Sequence, residues 1–131
     1  MTLDSSALVA ILFAEPGHLD LVDLILQADV VRVGTPTLVE TEIVLAARRG
    51  KAAATEVRDL LEELHVTVVP FGESDWHAAV RAFERFGRGR HKAGLNFGDC
   101  LSYAVAAVAS DSLLFVGDDF KSTDVTPAWV P

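Results

Sequence analysis

The sequence predicts an α/β protein of three layers, in which helices cover both faces of a short central parallel sheet of four to five strands. Two observations predict this class. Short apolar runs alternate with longer helical segments along the chain, the order from which βαβ units are built. The runs are continuously apolar, which is typical of parallel strands buried on both faces. The length of 131 residues fits one domain, over residues 1–131.

Each predicted strand is a short run rich in apolar and β-branched side chains. In chain order, the predicted strands cover residues 1–3, 30–35, 66–71 and 113–116. Residues 125–130 are a candidate fifth strand, although Pro127 lacks the backbone N–H that a sheet interior requires. In open parallel sheets ligands bind at the carboxyl ends of the strands, so the residues that follow these runs are the candidates for chemistry.

Start and stop signals delimit six predicted helices. The expected N-caps are Ser5, Thr35, Ser74 and Asn96. Pro36 suits a first helical position because its fixed φ matches the helix. Proline or glycine ends the first and third helices. The predicted helices cover residues 6–14, 18–28, 36–49, 51–64, 75–86 and 97–109.

Composition excludes several classes of protein. Half of the residues are hydrophobic, which excludes a disordered linker. Cys100 is the only cysteine, so an internal disulfide and a cysteine-rich zinc site are both excluded. There is no basic leader and no apolar run near the ~20 residues of a membrane span, so a cytoplasmic location is expected. The net charge of −8 argues against nucleic-acid binding driven by bulk charge.

Four carboxylates occupy positions that a parallel sheet brings to one edge. Asp4 follows the first predicted strand and Asp118 follows the fourth. Glu40 and Asp99 lie in early turns of helices that begin near the same edge. Two carboxylates ~5 Å apart repel by about 3 kcal/mol at an effective dielectric near 20. A hard divalent cation removes this repulsion, so the sequence predicts a site for Mg2+, with Mn2+ as an alternative.

Each acid taken alone also has a purely structural interpretation. Asp99 stands three residues after Asn96, where an acid complements the helix dipole. Asp118 and Asp119 are common turn residues, and Asp4 can assist the start of a helix. Only the joint placement of the acids favours a metal site over these separate explanations.

A loop rich in glycine and cations precedes the last predicted helix. Five of the chain's 11 Lys and Arg residues lie within positions 81–92. Phosphates require such charge for affinity, and Phe86 and His91 are predicted to stack on unpaired bases. The expected substrate-binding cations are Arg88, Arg90 and Lys92. The alternative is a solvated loop whose cations only face the dipole of the preceding helix.

Four segments, spread over nearly the whole chain, make the sequence recognisable. They are residues 3–8 (LDSSAL), 38–42 (LVETE), 95–100 (LNFGDC) and 113–120 (LLFVGDDF). Their order and spacing resemble the PIN-domain family, and more narrowly the VapC-type ribonuclease toxins of bacterial toxin–antitoxin pairs. The resemblance implies a metal-dependent endoribonuclease that works with a VapB-type antitoxin and forms a homodimer.

By motif match, the resemblance places the catalytic and metal-binding acids at Asp4, Glu40, Asp99 and Asp118. It also implies a polar neighbour, Ser5 or Ser6, and Ser5 joins the expected substrate-binding residues. The fourth acid has an alternate: counting from the strand selects Asp118, whereas counting back from Phe120 selects Asp119. Asp124 is a weaker third candidate. For the homodimer, the candidate residues are Leu8, Leu12, Leu21 and Leu24 on the early helices, although core packing is the preferred interpretation for most of them.

The predicted reaction is metal-assisted hydrolysis of phosphodiester bonds in RNA, with the first two aspartates as the most direct ligands. A receiver-type phosphoacceptor domain is an alternative, but it needs paired acids after the first strand, where only Asp4 stands. A phosphatase with an aspartyl nucleophile needs a second acid two residues after Asp4, where Ser6 stands. A non-catalytic binding module on the same fold is the third alternative.

Overall fold

Four short strands form one sheet in the computed structural model, which describes all residues from 1 to 131. In chain order they are β1 (Thr2–Leu3), β2 (Arg32–Gly34), β3 (Thr67–Val69) and β4 (Leu113–Leu114). Their spatial order is β3–β2–β1–β4, and every neighbouring pair is parallel. The predicted parallel sheet is therefore confirmed, with four strands.

Six α-helices surround the sheet. They are α1 (Ser5–Leu12), α2 (His18–Gln27), α3 (Thr35–Arg49), α4 (Ala53–Glu63), α5 (Glu73–Phe86) and α6 (Phe97–Val108). One turn of 3₁₀ helix, Gly50–Ala52, joins α3 to α4. None of these helices combines the length and the hydropathy that crossing a membrane would require.

Two hydrophobic clusters, one on each face of the sheet, produce the three layers. Successive side chains of a strand point to opposite faces, and β4 shows this directly. Leu113 packs with residues of α5 and α6, whereas Leu114 packs with β1, α1 and α2. Both leucines are fully buried. The three-layer class is therefore confirmed by the packing as well as by the order of elements.

The first helix differs from its prediction at both ends. Asp4, and not Ser5, is the N-cap of α1, because its carboxylate accepts a hydrogen bond from the backbone N–H of Ser6 at 3.0 Å. The helix ends at Leu12 instead of residue 14, since Ala14 has a φ of +50° that a right-handed helix cannot contain. The shift places a carboxylate, and not a hydroxyl, at the helix start.

The second strand is only three residues long because α3 begins directly after it. Gly34 is needed at this junction, since a Cβ there would lie 2.8 Å from Val105 of α6. The close approach brings α3 and α6 together over the carboxyl end of β2.

The candidate fifth strand is reduced to a single parallel bridge between Pro127 and Leu113. The backbone N–H of Leu113 donates to Thr126 at 2.9 Å, and that of Ala128 donates to Leu113 at 2.9 Å. The residues on either side of Pro127 thus supply both hydrogen bonds, so the proline is not needed as a donor.

Candidate active site

Asp4 is held rigidly at the carboxyl end of β1. It is 5% exposed, and one of its carboxylate oxygens accepts from both the backbone N–H and the hydroxyl of Ser6, at 3.0 and 2.6 Å. The Ser6 hydroxyl oxygen accepts in turn from the backbone N–H of Val116, at 3.0 Å. This chain of bonds ties Asp4 to the segment that follows β4. The second oxygen of Asp4 accepts no hydrogen bond from the protein.

Glu40 reaches the same place from α3. The Ser5 hydroxyl donates to one oxygen of Glu40 at 2.9 Å, so the predicted polar neighbour orients an acid of the site. The other oxygen of Glu40 lies against the backbone of Gly98 in α6, where an added Cβ would overlap it. Glycine at position 98 therefore leaves room for this oxygen in its observed position. This role was not predicted from the sequence, although the glycine stands in the same segment as Asp99.

Asp99 does cap a helix, as its structural interpretation predicts. Asn96 accepts from the backbone N–H of Asp99 at 2.8 Å, and the Asp99 carboxylate accepts from the backbone N–H of Asn96 at 3.0 Å. Burial is the main cause that raises the pKa of Asp99 to about 6. The hydrogen bond from Asn96 has the opposite effect and lowers this pKa. The carboxylates of Asp119, Asp4 and Glu40 raise this pKa further. Capping alone does not explain three acids that face Asp99.

The four mutually repelling acids Asp4, Glu40, Asp99 and Asp119 are called the acid rim below. None of the six ion pairs in the protein involves any of them. As the side chains stand, no three of them are arranged around a point that could hold a metal ion. In three of the four, one oxygen is engaged in a local hydrogen bond.

The donor chemistry of the acid rim nevertheless fits a hard divalent cation. All four acids offer carboxylate oxygens, the ligands that Mg2+ prefers. Asp4, Glu40 and Asp99 each keep an oxygen that accepts no protein hydrogen bond. The repulsion that raises the pKa of Asp99 is the energy that a bound cation would relieve. Gathering the free oxygens on one ion requires side-chain movement.

The structure places Asp119 in the acid rim and Asp118 outside it. The Asp118 carboxylate is exposed and pairs with Lys121 at 2.5 Å, and it is not among the main causes of the raised pKa of Asp99. The third candidate, Asp124, accepts from the Tyr103 hydroxyl at 2.5 Å, away from the rim. Geometry therefore favours the alternate residue, Asp119, over the choice that counting from the strand selects.

The predicted substrate-binding cations are all available to a ligand. Arg88, Arg90 and Lys92 are exposed, and none of them forms an ion pair. Phe86, in contrast, is 7% exposed and packs in the core beside α6, so the prediction that it stacks on bases is wrong. Its position as the last residue of an amphipathic helix accounts for the burial. His91 is half-buried against its ring.

A continuous apolar face, formed by α3, α5 and the start of α6, adjoins the acid rim. It contains two cavities of about 500 and 640 Å3 that share Phe71, Phe97 and Leu101, and Glu40 lines the larger one. Phe97 is 80% exposed. The remaining large exposed side chains of this apolar face are Val39, Ile43, Trp76, Val80 and Phe83.

The residues that the sequence offers for a dimer lie elsewhere, on the early helices. Leu8 and Leu21 are 0% and 1% exposed, so both belong to the core, which is the interpretation preferred for most of the four leucines, and neither is available for a dimer contact. The i, i+4 spacing of Val39 with Ile43, and of Trp76 with Val80, is the pattern that could have revealed the apolar face.

Residues 1–125 match the family model of the PIN domain. This chain belongs to the PIN-domain family. Among the relatives of this PIN domain is the Ribonuclease VapC of Mycolicibacterium smegmatis, 43% identical over 126 residues, which are 95% of this chain and 97% of the relative. The Ribonuclease VapC30 of Mycobacterium tuberculosis is 38% identical over 132 residues, the full length of both chains. The resemblance to the VapC group is therefore confirmed.

A solved structure supports the fold independently. The crystal structure of VapC20 from Mycobacterium tuberculosis, described as a toxin that cleaves the sarcin–ricin loop, aligns with a TM-score of 0.76. The alignment covers 95% of each chain at 21% sequence identity. At this identity the likeness establishes that the PIN domain shares the three-layer fold.

Proposed function

We propose that this PIN domain is a metal-dependent endoribonuclease and the toxin of a type II toxin–antitoxin pair. The observation that carries the proposal is the acid rim, where four carboxylates lie near one another without a cationic partner from the protein. There burial, together with the charges of the other three acids, raises the pKa of Asp99 to about 6. Relatives that are 38% and 43% identical over nearly the whole chain are named ribonucleases, which supports RNA as the substrate. Acting on cellular RNA places the enzyme in the cytoplasm.

The cofactor in this proposal is Mg2+, and Mn2+ suits the same oxygen donors. The free oxygens of Asp4 and Asp99 would hold it most directly, with Glu40 and Asp119 contributing further oxygens. A divalent cation at such a site lowers the pKa of water and neutralises charge on a phosphate.

The residues around the acid rim set its geometry in advance. Ser6 fixes Asp4 and Ser5 fixes Glu40 through their hydroxyl groups, and Asn96 fixes Asp99 through its backbone N–H. Each of these bonds holds one carboxylate oxygen and leaves the other free for a cation. The exposed cations of the neighbouring loop supply the attraction for the RNA backbone.

The apolar face fits a second copy of this chain. Soluble monomers rarely expose contiguous apolar surface of this kind, and a two-fold axis lets one face cover its own equivalent. In a homodimer of this form, changing Ile43 or Phe97 to aspartate would yield a monomer, whereas changing the exposed Leu19 of α2 would not. Light scattering that shows a monomeric wild-type protein would refute this part of the proposal.

A VapB-type antitoxin is the second proposed partner. The acid rim lacks any cation of its own, so an arginine on a partner segment would compensate its charge as a metal ion does. The acid rim is also the site that an antitoxin would have to block.

The proposal is tested by incubating purified protein with total RNA, with and without Mg2+, and mapping the ends of the fragments. We expect specific internal cleavage in the presence of Mg2+ and none with the Asp99→Asn variant. The receiver-type and phosphatase alternatives belong to other families, and the PIN match argues against both. If folded wild-type protein binds RNA but leaves it intact under all metal conditions, the binding-module alternative replaces the proposal.

A further inference from the structure

Backbone pairing joins the two ends of the cation-bearing loop, residues 87–94. Gly87 and Leu95 form a parallel bridge. The backbone N–H of Arg88 donates to Leu95 at 3.0 Å, and that of Leu95 donates to Phe86 at 2.9 Å. Leu95 is fully buried. The loop is therefore a compact Ω-type loop anchored in the core, one residue before the N-cap of α6.

Two side chains of this loop face inward: Ala93 packs against the core, and His91 makes a hydrogen bond to the loop backbone. Its Nδ1 accepts from the backbone N–H of Ala93 at 3.0 Å, and its backbone N–H donates to Gly87 at 3.1 Å. Its ring stands edge-on to Phe86, with 5.2 Å between the ring centroids. Because Nδ1 accepts a hydrogen bond, the proton of the neutral ring is on Nε2.

Backbone hydrogen bonds close the loop, and the His91 side chain adds a contact that restricts its shape further. Gly89 and Gly94 have φ values of +81° and +61°, a region that glycine enters and leaves readily. Arg88, Arg90 and Lys92 are all exposed and make no ion pair that would hold them. Among the side chains of the loop, His91 has both a hydrogen bond to the loop backbone and a contact with the core.

We propose that His91 is a positioning residue for the RNA substrate. Its ring joins the Ala93 amide to the Phe86 ring, and it thereby fixes the spacing at which Arg88, Arg90 and Lys92 meet successive phosphates. Preorganised cations bind a polyanion more tightly because less freedom is lost on binding. His91 acts through the loop and does not touch the reacting atoms. The inference rests on the proposed ribonuclease activity.

The test compares His91→Ala with His91→Asn in steady-state cleavage of one RNA substrate. An asparagine side chain accepts a hydrogen bond from the N–H two residues ahead, as in an Asx-turn, so it can replace the lost acceptor. We expect His91→Ala to raise KM roughly three- to tenfold, the effect of one lost hydrogen bond. The value of kcat should stay within about twofold, since the acid rim is untouched. His91→Asn should recover most of the affinity.

His18→Ala is the matched control, because the Nδ1 of His18 also hydrogen-bonds a backbone group, Glu15, but outside the loop. The control should keep the wild-type KM. If His91→Ala keeps the wild-type KM while the triple change of Arg88, Arg90 and Lys92 to glutamine raises it, the positioning role is refuted and the ribonuclease proposal stands. If the wild-type protein cleaves no RNA, both fall together.

A measurement on the wild-type protein covers the case in which His91→Ala does not fold. Nitrogen-15 NMR of the histidine rings reports which ring nitrogen carries the proton. The structure requires the Nε2–H form for His91, since Nδ1 accepts from Ala93. An Nδ1–H form would mean that this contact does not exist, and the inference would fail whatever the variants do.

Discussion

Aspartate side chains at the two edges of the sheet differ in whether they have cationic partners. At the edge where β1 and β4 begin, Asp111 accepts from the N-terminal ammonium of Met1 at 2.7 Å, from Arg32 at 2.8 Å and from Thr2 at 3.0 Å. At the edge where the same strands end, the four carboxylates of the acid rim have no cationic partner. The charge of Asp111 at the first edge is compensated by cations of the protein, whereas the charges of the acid rim at the second edge are not.

The pKa values of Asp111 and Asp99, one at each edge, differ in the same way. Burial alone would raise the pKa of Asp111, but hydrogen bonds from the ammonium, Thr2 and Arg32 outweigh it and lower the pKa below its usual value. Burial raises the pKa of Asp99 to about 6, and the neighbouring acids add to the shift. A carboxylate that is paired stabilises the fold, whereas one that is left among like charges is available for a cation.

The largest effect is expected from neutralising the acid rim. Asp4→Asn and Asp99→Asn keep the size of each side chain and an oxygen that can accept the capping hydrogen bond, so both proteins should fold. Each variant should lose cleavage by roughly a thousandfold, because several kcal/mol of charge stabilisation disappear. Single-turnover cleavage and thermal melting measure the two quantities. Substantial activity in both variants would refute the site.

Asp118 and Asp119, the two candidates for the fourth acid, are adjacent and can be compared directly. Asp119→Asn should lower kcat by about tenfold to a hundredfold, whereas Asp118→Asn, which only removes the contact with Lys121, should stay within about twofold. Cleavage rates of the two variants under identical conditions make the comparison. The reverse order of effects would restore Asp118 and contradict the placement seen here.

At the edge that carries the acid rim, Gly98→Ala is expected to lower activity much more than stability. The added methyl group must displace the Glu40 carboxylate, the far end of a flexible side chain, so the fold should lose less than about 1 kcal/mol. Cleavage should fall about tenfold because Glu40 leaves its position beside Ser5. Denaturant unfolding and cleavage assays are the measurements. A large loss of stability with unchanged activity per folded molecule would contradict this role.

Asp111→Asn should produce the opposite result at the paired edge. The free energy of unfolding should fall by about 2 kcal/mol at pH 7, while cleavage per folded molecule stays unchanged. The folded-state pKa of Asp111 is lowered, so its stabilisation is present above the unfolded value of 3.8 and is lost as pH falls through the folded value. Unfolding curves measured as the pH is lowered should therefore converge for the two proteins. Parallel curves would show that Asp111 does not contribute through its charge.

The sequence predicted the acid rim where local signals and the parallel topology agree. Asp4 comes directly after an apolar run, and Asp99 stands three residues after a capping asparagine, so both positions follow from the order of elements. The choice between Asp118 and Asp119 could not be made this way. It depends on the turn at Gly117, whose φ of +102° redirects the chain after the strand.

The wrong predictions share a cause, which is that tertiary packing decides between residues with similar propensities. Ser5 and Asp4 are equally good N-caps, and the helix start is set by the bond from Ser6 to Asp4. Phe86 was assigned to a nucleic-acid surface because exposed aromatic residues stack on bases. Its burial depends on packing against α6, a later part of the chain.

The most direct test of the central claim is a Mn2+ titration followed by electron paramagnetic resonance, with wild-type protein and the Asp99→Asn variant side by side. The acid rim predicts saturable binding to the wild-type protein that weakens by at least about tenfold in the variant, since a ligand and a charge are both removed. Equal Mn2+ affinity in the two proteins, or no saturable binding to the wild type, would contradict the account.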